Sequence, residues 1–215
     1  MLEELTQANE YIYSKLPIDS ELEELKKYAI SQNVPIISDE VASFLKFILL
    51  SGNIKNVLEI GTAIGYSGLI ISKLIASNNG LLYTIEKDEQ RYNEAIDNFK
   101  KYNRNNVKCV LGDAEEQLDK ISGEISEPFD LIFIDASKGH YQGFFEKSLP
   151  MLNKSGLVFI DNLLFRGYLY KDYPKRYSTI VRKLDNFITE LYKDNRGDFT
   201  LLPFGDGVGL FRKTK

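Results

Sequence analysis

The apolar positions change rhythm partway along the chain. Up to Gly52 they recur at helical spacing. Leu16-Pro17 ends a first segment, and Leu22, Leu25, Tyr28 and Ala29 mark a helix that Asp19 is placed to cap. Val34-Pro35 breaks that helix, because proline disfavours a helical residue before it. Ser38 is placed to cap a further helix running through Val41, Phe44, Leu45 and Ile48 to Leu50, with Gly52 closing it. From Asn56 onward, short apolar runs alternate with amphipathic stretches. The runs predict strands at 57–60, 81–85, 107–111, 129–135 and 156–161, and the stretches predict helices at 67–76, 89–102, 114–121 and near 141–149. Such alternation predicts a doubly wound α/β sheet with right-handed crossovers. The tail departs from it. A helix over about 178–192 precedes two strand-like runs, 199–203 and 207–212, which flank Gly205-Asp206-Gly207. That is a hairpin signal, so the last strands should be antiparallel.

Two of the strand runs stop on an acid. Phe129–Asp135 and Gly156–Asp161 are apolar until their last residue, and Asn162 follows the second. Adjacent strands lie roughly 4.8 Å apart. If these two are neighbours, Asp135, Asp161 and Asn162 meet at one sheet edge as a hard-oxygen set suited to Mg²⁺ or Ca²⁺.

Composition narrows the chemistry. One histidine, His140, and one cysteine, Cys109, cannot make a four-ligand zinc site. Cys109 cannot form an internal disulfide, sits in a strand-like run as a buried residue would, and fits a reducing cytoplasm. No Gly-x-Ser-x-Gly elbow accompanies His140, which disfavours a serine hydrolase and reads as a satisfied surface histidine. No apolar run approaches the length of a membrane span, and the acidic start lacks a signal-peptide pattern. The net charge of −4 gives no overall attraction to nucleic acid. Charge is uneven, however. Arg166, Lys171, Lys175, Arg176, Arg182 and Lys183 face a single acid, Asp172, in one stretch, which reads either as a solvated surface or as a polyanion contact.

Acids also end the earlier strands. Glu59-Ile-Gly61-Thr-Ala63-Ile-Gly65 lies where the first strand turns into a helix, Glu86 ends the second strand, and Asp113 follows the third. Gly61 permits a tight turn near a ligand and Gly65 permits close helix packing, although Ala63 replaces the middle glycine of a dinucleotide fingerprint. A carboxylate at Glu86 can accept from two ribose hydroxyls, and open α/β sheets bind ligands at such strand ends. Glu59 lies inside its strand, where a charge is costly unless paired; it reads as orienting the Gly61 turn.

Glu59–Gly65, Thr84-Ile-Glu-Lys87, Gly112-Asp-Ala114, Ile134-Asp-Ala-Ser-Lys138 and Ile160-Asp-Asn162 together resemble the cation-dependent O-methyltransferases that use S-adenosylmethionine (SAM). Catechol and caffeoyl-CoA O-methyltransferases belong to that group. Within it, Val34-Pro-Ile36, Gly61–Ser67, Lys138-Gly-His-Tyr-Gln142, Asp161–Gly167 and Pro203–Gly207 are most similar to the bacterial tRNA 5-hydroxyuridine methyltransferases. The resemblance implies a class I, Rossmann-like methyltransferase fold. It has seven strands and an antiparallel C-terminal hairpin, in a single domain over 1–215 made of a helical cap (1–52) and an α/β core (53–215). It implies that Ile37 and Ser67 flank the methionine part of SAM, Glu86 the ribose, and Asp113 and Ala114 the adenine, with Glu59 and Gly61 also among the cofactor-binding residues. Asp135 would touch both cofactor and metal, with Asp161 and Asn162 completing a site for Mg²⁺ or, alternatively, Mn²⁺. Lys138 would be the general base, partly desolvated beside a cation, and Tyr141 would line the acceptor pocket. The implied reaction is methylation of 5-hydroxyuridine at the wobble position of a tRNA anticodon loop. Arg166, Lys171, Lys175 and Arg176 would then hold phosphates, while Phe165, Tyr168, Tyr170 and Tyr173 stack on bases. A small catechol or caffeoyl-CoA-type acceptor is the alternative. A cytoplasmic homodimer, joined through the N-terminal helices, is expected from the same relatives.

Overall fold

The computed structural model describes residues 2–16 and 19–215. Its strands are β1 (Val57–Ile60), β2 (Leu82–Glu86), β3 (Val107–Leu111), β4 (Phe129–Ile134), β5 (Leu152–Ile160), β6 (Gly197–Leu202) and β7 (Val208–Lys213). Its α-helices are α1 (Leu2–Lys15), α2 (Glu23–Ser31), α3 (Asp39–Ser51), α4 (Tyr66–Ile75), α5 (Glu89–Lys101), α6 (Ala114–Glu124), α7 (Tyr141–Ser148) and α8 (Ser178–Lys193). The strands form one sheet in the order β3-β2-β1-β4-β5-β7-β6. β1 to β5 pair in parallel, and β7 runs antiparallel to both β5 and β6. This is the α/β class expected, with the hairpin folded back so that β7 lies inside β6. The chain winds outward from β1 to β3 and then returns to β4. That reversal opens a crevice beyond the carboxyl ends of β1 and β4, where ligands of open sheets bind.

The period-two alternation of a strand sorts its residues onto two faces. Leu58, Ile60, Ile132, Ile134, Val158 and Ile160 pack with α6, α7 and α8. Val57, Leu131, Phe133 and Phe159 pack with α2 to α5. Both faces are covered, which explains why the central strands read as continuous apolar runs.

Several boundaries differ from expectation. β5 begins at Leu152 because the pairing skips from Phe129↔Leu152 to Leu131↔Leu157, leaving Asn153–Gly156 as an irregularity that breaks the apolar run. Asp19 does not cap α2, whose N-cap is Leu22. Its carboxylate instead takes Lys46 Nζ at 2.8 Å and Glu21 N–H at 3.3 Å. Ser38 is the N-cap residue of α3, but its hydroxyl makes no capping bond, and Gly52 closes that helix in an extended conformation, not a left-handed one. Pro17 lies outside the described residues. No helix among the described residues is long and apolar enough to cross a membrane.

Phe159 links the sheet to the α3 layer, with ring centroids 6.0 Å from Phe44 and 5.4 Å from Phe133, and is fully buried. Phe159→Ala is expected to lower unfolding free energy by about 3–5 kcal/mol, read from urea denaturation. A loss below about 1 kcal/mol would show that this seam is not part of the core.

Candidate functional site

The β4–β5 pairing runs to Ile134↔Ile160, so the next residues, Asp135 and Asp161, stand side by side. Asp135 N–H donates to Ile60 O and Asp161 N–H to Ile134 O, both at 3.0 Å, which carries the ladder one step past the strands. Asp161 is 1% exposed. Its Oδ1 accepts the Asn162 N–H at 2.6 Å. Lys138, in the turn after β4, donates from Nζ to Asn162 Oδ1 at 2.9 Å. The expected trio and its lysine are therefore brought together.

Burial dominates the electrostatics here. It raises Asp135 above the ordinary carboxylate range, against the pull of Lys138. It pushes Asp161 up to about 7, with the neighbouring Asp135 adding to the shift. Two adjacent carboxylates with one ammonium nearby resist joint ionisation, and a bound divalent cation would relieve that. The donor set of two carboxylates and an amide oxygen therefore suits a hard cation. It relies on Asn162, since no group of three or more His, Cys, Asp and Glu residues gathers for a metal among the described residues.

A cavity of about 310 Å³ runs from this cluster across the ends of β1, β2 and β3. Ile37, Gly61, Ser67, Glu86, Asp113, Ala114 and Asp135 all line it, as do Lys138 and Asn162. Gly61 is required by geometry. Its φ is +103°, and a Cβ would lie 2.0 Å from the Asp135 carbonyl oxygen. Ala63 takes a left-handed φ of 46° and donates its N–H to Glu86 Oε2 at 2.7 Å. Glu86 Oε1 accepts from the Lys87 and Asp88 N–H groups, each at 2.9 Å. Backbone amides thus fix the Glu86 carboxylate before any ligand arrives. Asp113 caps α6 by accepting the Glu115 N–H at 2.9 Å.

Glu59 is a correction. It is fully buried, does not line the cavity, and makes no contact a cofactor would share. Its oxygens accept from Ser67 Oγ and Thr84 Oγ1, each at 2.5 Å, and Thr84 in turn meets Thr62 beside Gly61. It supports the Gly61 turn at one remove. Tyr141 is 1% exposed and donates its hydroxyl to the Asp161 carbonyl at 3.0 Å, bracing the end of β5; it lines a neighbouring cavity that also reaches Lys138 and His140. His140 pairs through Nδ1 with Glu115 Oε1 at 2.9 Å and stacks on Phe144, while also lining the cavity. Cys109 is a half-buried strand residue whose thiol burial pushes up to about 12.

Arg166, Lys171, Lys175 and Arg176 are exposed on the segment between β5 and α8 and do not line the cavity. The aromatics beside them divide. Phe165 is buried and packs edge-on against Tyr168 and Tyr177, which stack on one another, so Phe165 and Tyr168 are held by local packing. Tyr170 and Tyr173 are exposed.

A family model described as O-methyltransferase matches residues 14–214. Caffeoyl-CoA O-methyltransferase 2 of Populus trichocarpa is 28% identical over 85% of this chain and 76% of its own length. An O-methyltransferase from Bacillus cereus, solved in complex with S-adenosylhomocysteine (SAH), superposes with a TM-score of 0.84 at 28% identity, covering 99% of this chain and all of that one. The SAH-bound methyltransferase PaMTH1 of Podospora anserina gives a TM-score of 0.87 at 27% identity, covering 99% and 96%.

Burial pushes Glu59 up to about 7, partly offset by its two hydroxyl donors. Between its ordinary value and about 7 the folded state keeps a proton that the unfolded chain releases, so stability falls as pH rises through that window. The loss is expected to reach roughly 3 kcal/mol. Asp161 acts in the same direction. Glu59→Gln should flatten the slope, read as denaturation midpoint against pH; a slope equal to that of the parent would show that Glu59 contributes nothing to it.

Proposed function

The chain belongs to the O-methyltransferase family, and we propose that it moves the methyl group of SAM onto an ionised hydroxyl of a phosphate-bearing acceptor. The observation that carries this reading is the single cavity joining Glu86 and Asp113 to Asp135, Asn162 and Lys138. Ile37 and Ser67 would flank the methionine end, Glu86 would accept from the ribose, and Asp113 and Ala114 would face the adenine. SAM supplies an electrophilic methyl, and a divalent cation (Mg²⁺ first, Mn²⁺ second) would lower the pKa of the acceptor hydroxyl when held by Asp135, Asp161 and Asn162. Lys138 would receive the hydroxyl proton at Nζ, which requires its amine to be neutral, its own proton having first passed to solvent. The covered sheet and the Tyr141–Asp161 bond hold these groups still while methyl donor and acceptor oxygen align.

The relatives named caffeoyl-CoA O-methyltransferase support a small acceptor, a hydroxylated ring carried on coenzyme A. Coenzyme A bears phosphates that the Arg166–Lys183 stretch could meet. A second reading is 5-hydroxyuridine at the wobble position of tRNA. It is supported by the exposure of all six cations in that stretch, none of which forms an ion pair among the described residues, and by exposed Tyr170 and Tyr173.

Purified protein should methylate caffeoyl-CoA or 5-hydroxyuridine-bearing tRNA from SAM, with the preferred acceptor deciding between the two readings by mass spectrometry. Turnover of neither contradicts the proposal. Chelation, or Asp161→Ala, should cut the rate by about 100-fold or more, and Lys138→Ala should cut kcat by about 100-fold to 10,000-fold. Full activity in EDTA would remove the cation from the mechanism.

A further inference from the structure

The chain leaves Asn162 through a loop that its own residues disfavour. Phe165 and Arg166 have φ of 46° and 60°, and Gly167 follows at 77°. Consecutive non-glycine residues in this region persist only where their surroundings over-determine them. Here the surroundings are the turn between β6 and β7. Leu163 N–H donates to Gly207 O at 2.9 Å and Leu164 N–H to Asp206 O at 2.8 Å. Arg166 N–H donates to Asp206 Oδ1 at 2.5 Å. On its other side the turn leans on α3: a Cβ on Gly205 would meet Val41 Cγ2 at 2.7 Å. α3 follows directly on Ile37, which lines the cofactor end of the cavity. Asp206 itself lines no part of that cavity, yet it lies within electrostatic reach of Lys138 and Asp161.

We propose that Asp206 is a positioning residue for the acceptor. By accepting the Arg166 amide it fixes the 164–167 segment after Asn162, and through the neighbouring Gly205 that turn packs against α3. The inference rests on the methyl-transfer reading above. An anionic acceptor for the amide of a residue held at positive φ gives the half-buried Asp206 a role in this loop. Gly207 lies so close to Leu164 that a Cβ would meet Leu164 Cγ at 2.3 Å, and the Leu163 and Leu164 amides bond the loop to the turn.

The test uses the intact chain as wild type, Asp206→Ala and Asp206→Asn, with caffeoyl-CoA and 5-hydroxyuridine-bearing tRNA as acceptors. Asparagine keeps an oxygen for the Arg166 amide and alanine does not. Asp206→Ala should raise the acceptor KM by about tenfold or more while kcat stays within about threefold, and Asp206→Asn should restore KM to within about threefold of wild type. SAH affinity, read by calorimetry, should stay within about twofold in both variants. Hydrogen exchange should show lost protection at Arg166 in Asp206→Ala alone, with β5 and β7 unchanged. A wild-type KM in Asp206→Ala overturns the proposal. So does a parallel fall in SAH affinity and β7 protection, or an asparagine variant as defective as alanine. Turnover of neither acceptor by wild type defeats the proposed function instead; exchange then decides the inference, and intact Arg166 protection in Asp206→Ala overturns it.

Discussion

Everything at the site depends on the register between β4 and β5. Ile134 lies opposite Ile160, and the ladder continues for one more bond before the strands part. A shift of one residue would turn Asp161 to the other face of the sheet and put an apolar side chain beside Asp135. The register is well fixed because both faces of these strands are buried. Ile132, Val158 and Ile160 pack into one layer, Phe133 and Phe159 into the other, and all are fully buried. The hydrophobic core thus sets the position of two acids that it would otherwise exclude.

Placing those acids there is costly, and the cost is informative. Burial pushes Asp135 and Asp161 upward, and each disfavours ionisation of the other. Lys138 Nζ sits on Asn162 Oδ1, the amide oxygen a cation would need. Lysine and cation therefore compete for the same oxygen. Glu59 shows the opposite use of a buried acid. Its two hydroxyl partners satisfy it within the core, and it works as a brace under the Gly61 turn.

Much of this was legible in the sequence because it depends on local pattern. Apolar runs ending in Asp135 and Asp161 announced the strands, and the glycines at 61 and 65 announced the turn. Neighbouring acids at Glu86 and Asp113 announced the cavity. What escaped was set by contacts between distant segments. Nothing near Tyr141 shows that its hydroxyl will reach Asp161, twenty residues away. Asp19 looks like a helix cap until Lys46 is folded against it. The early start of β5 was hidden by polar residues at an irregularity in the ladder. Phe165 and Tyr168 had the composition of a base-stacking surface, yet they pack on each other and on Tyr177. Gly205-Asp206-Gly207 signalled a turn and shared in the resemblance, but not its contact with Arg166, which arises because β7 inserts beside β5 and brings the turn against the loop after Asn162.

The site therefore has two halves of different character. The half proposed to hold the cofactor is fixed by backbone amides around Glu86 and by the Gly61 turn, while the half proposed to hold the acceptor gathers charge at the ends of β4 and β5. The central proposal is that this second half would bind a divalent cation, which would displace Lys138 from Asn162. Anomalous scattering from crystals grown with SAH and Mn²⁺ tests it most directly. The account predicts one strong peak in contact with Asp135, Asp161 and Asn162, with Lys138 Nζ withdrawn from the amide oxygen. Saturating Mn²⁺ with no peak there, and the Lys138–Asn162 bond intact, would contradict it.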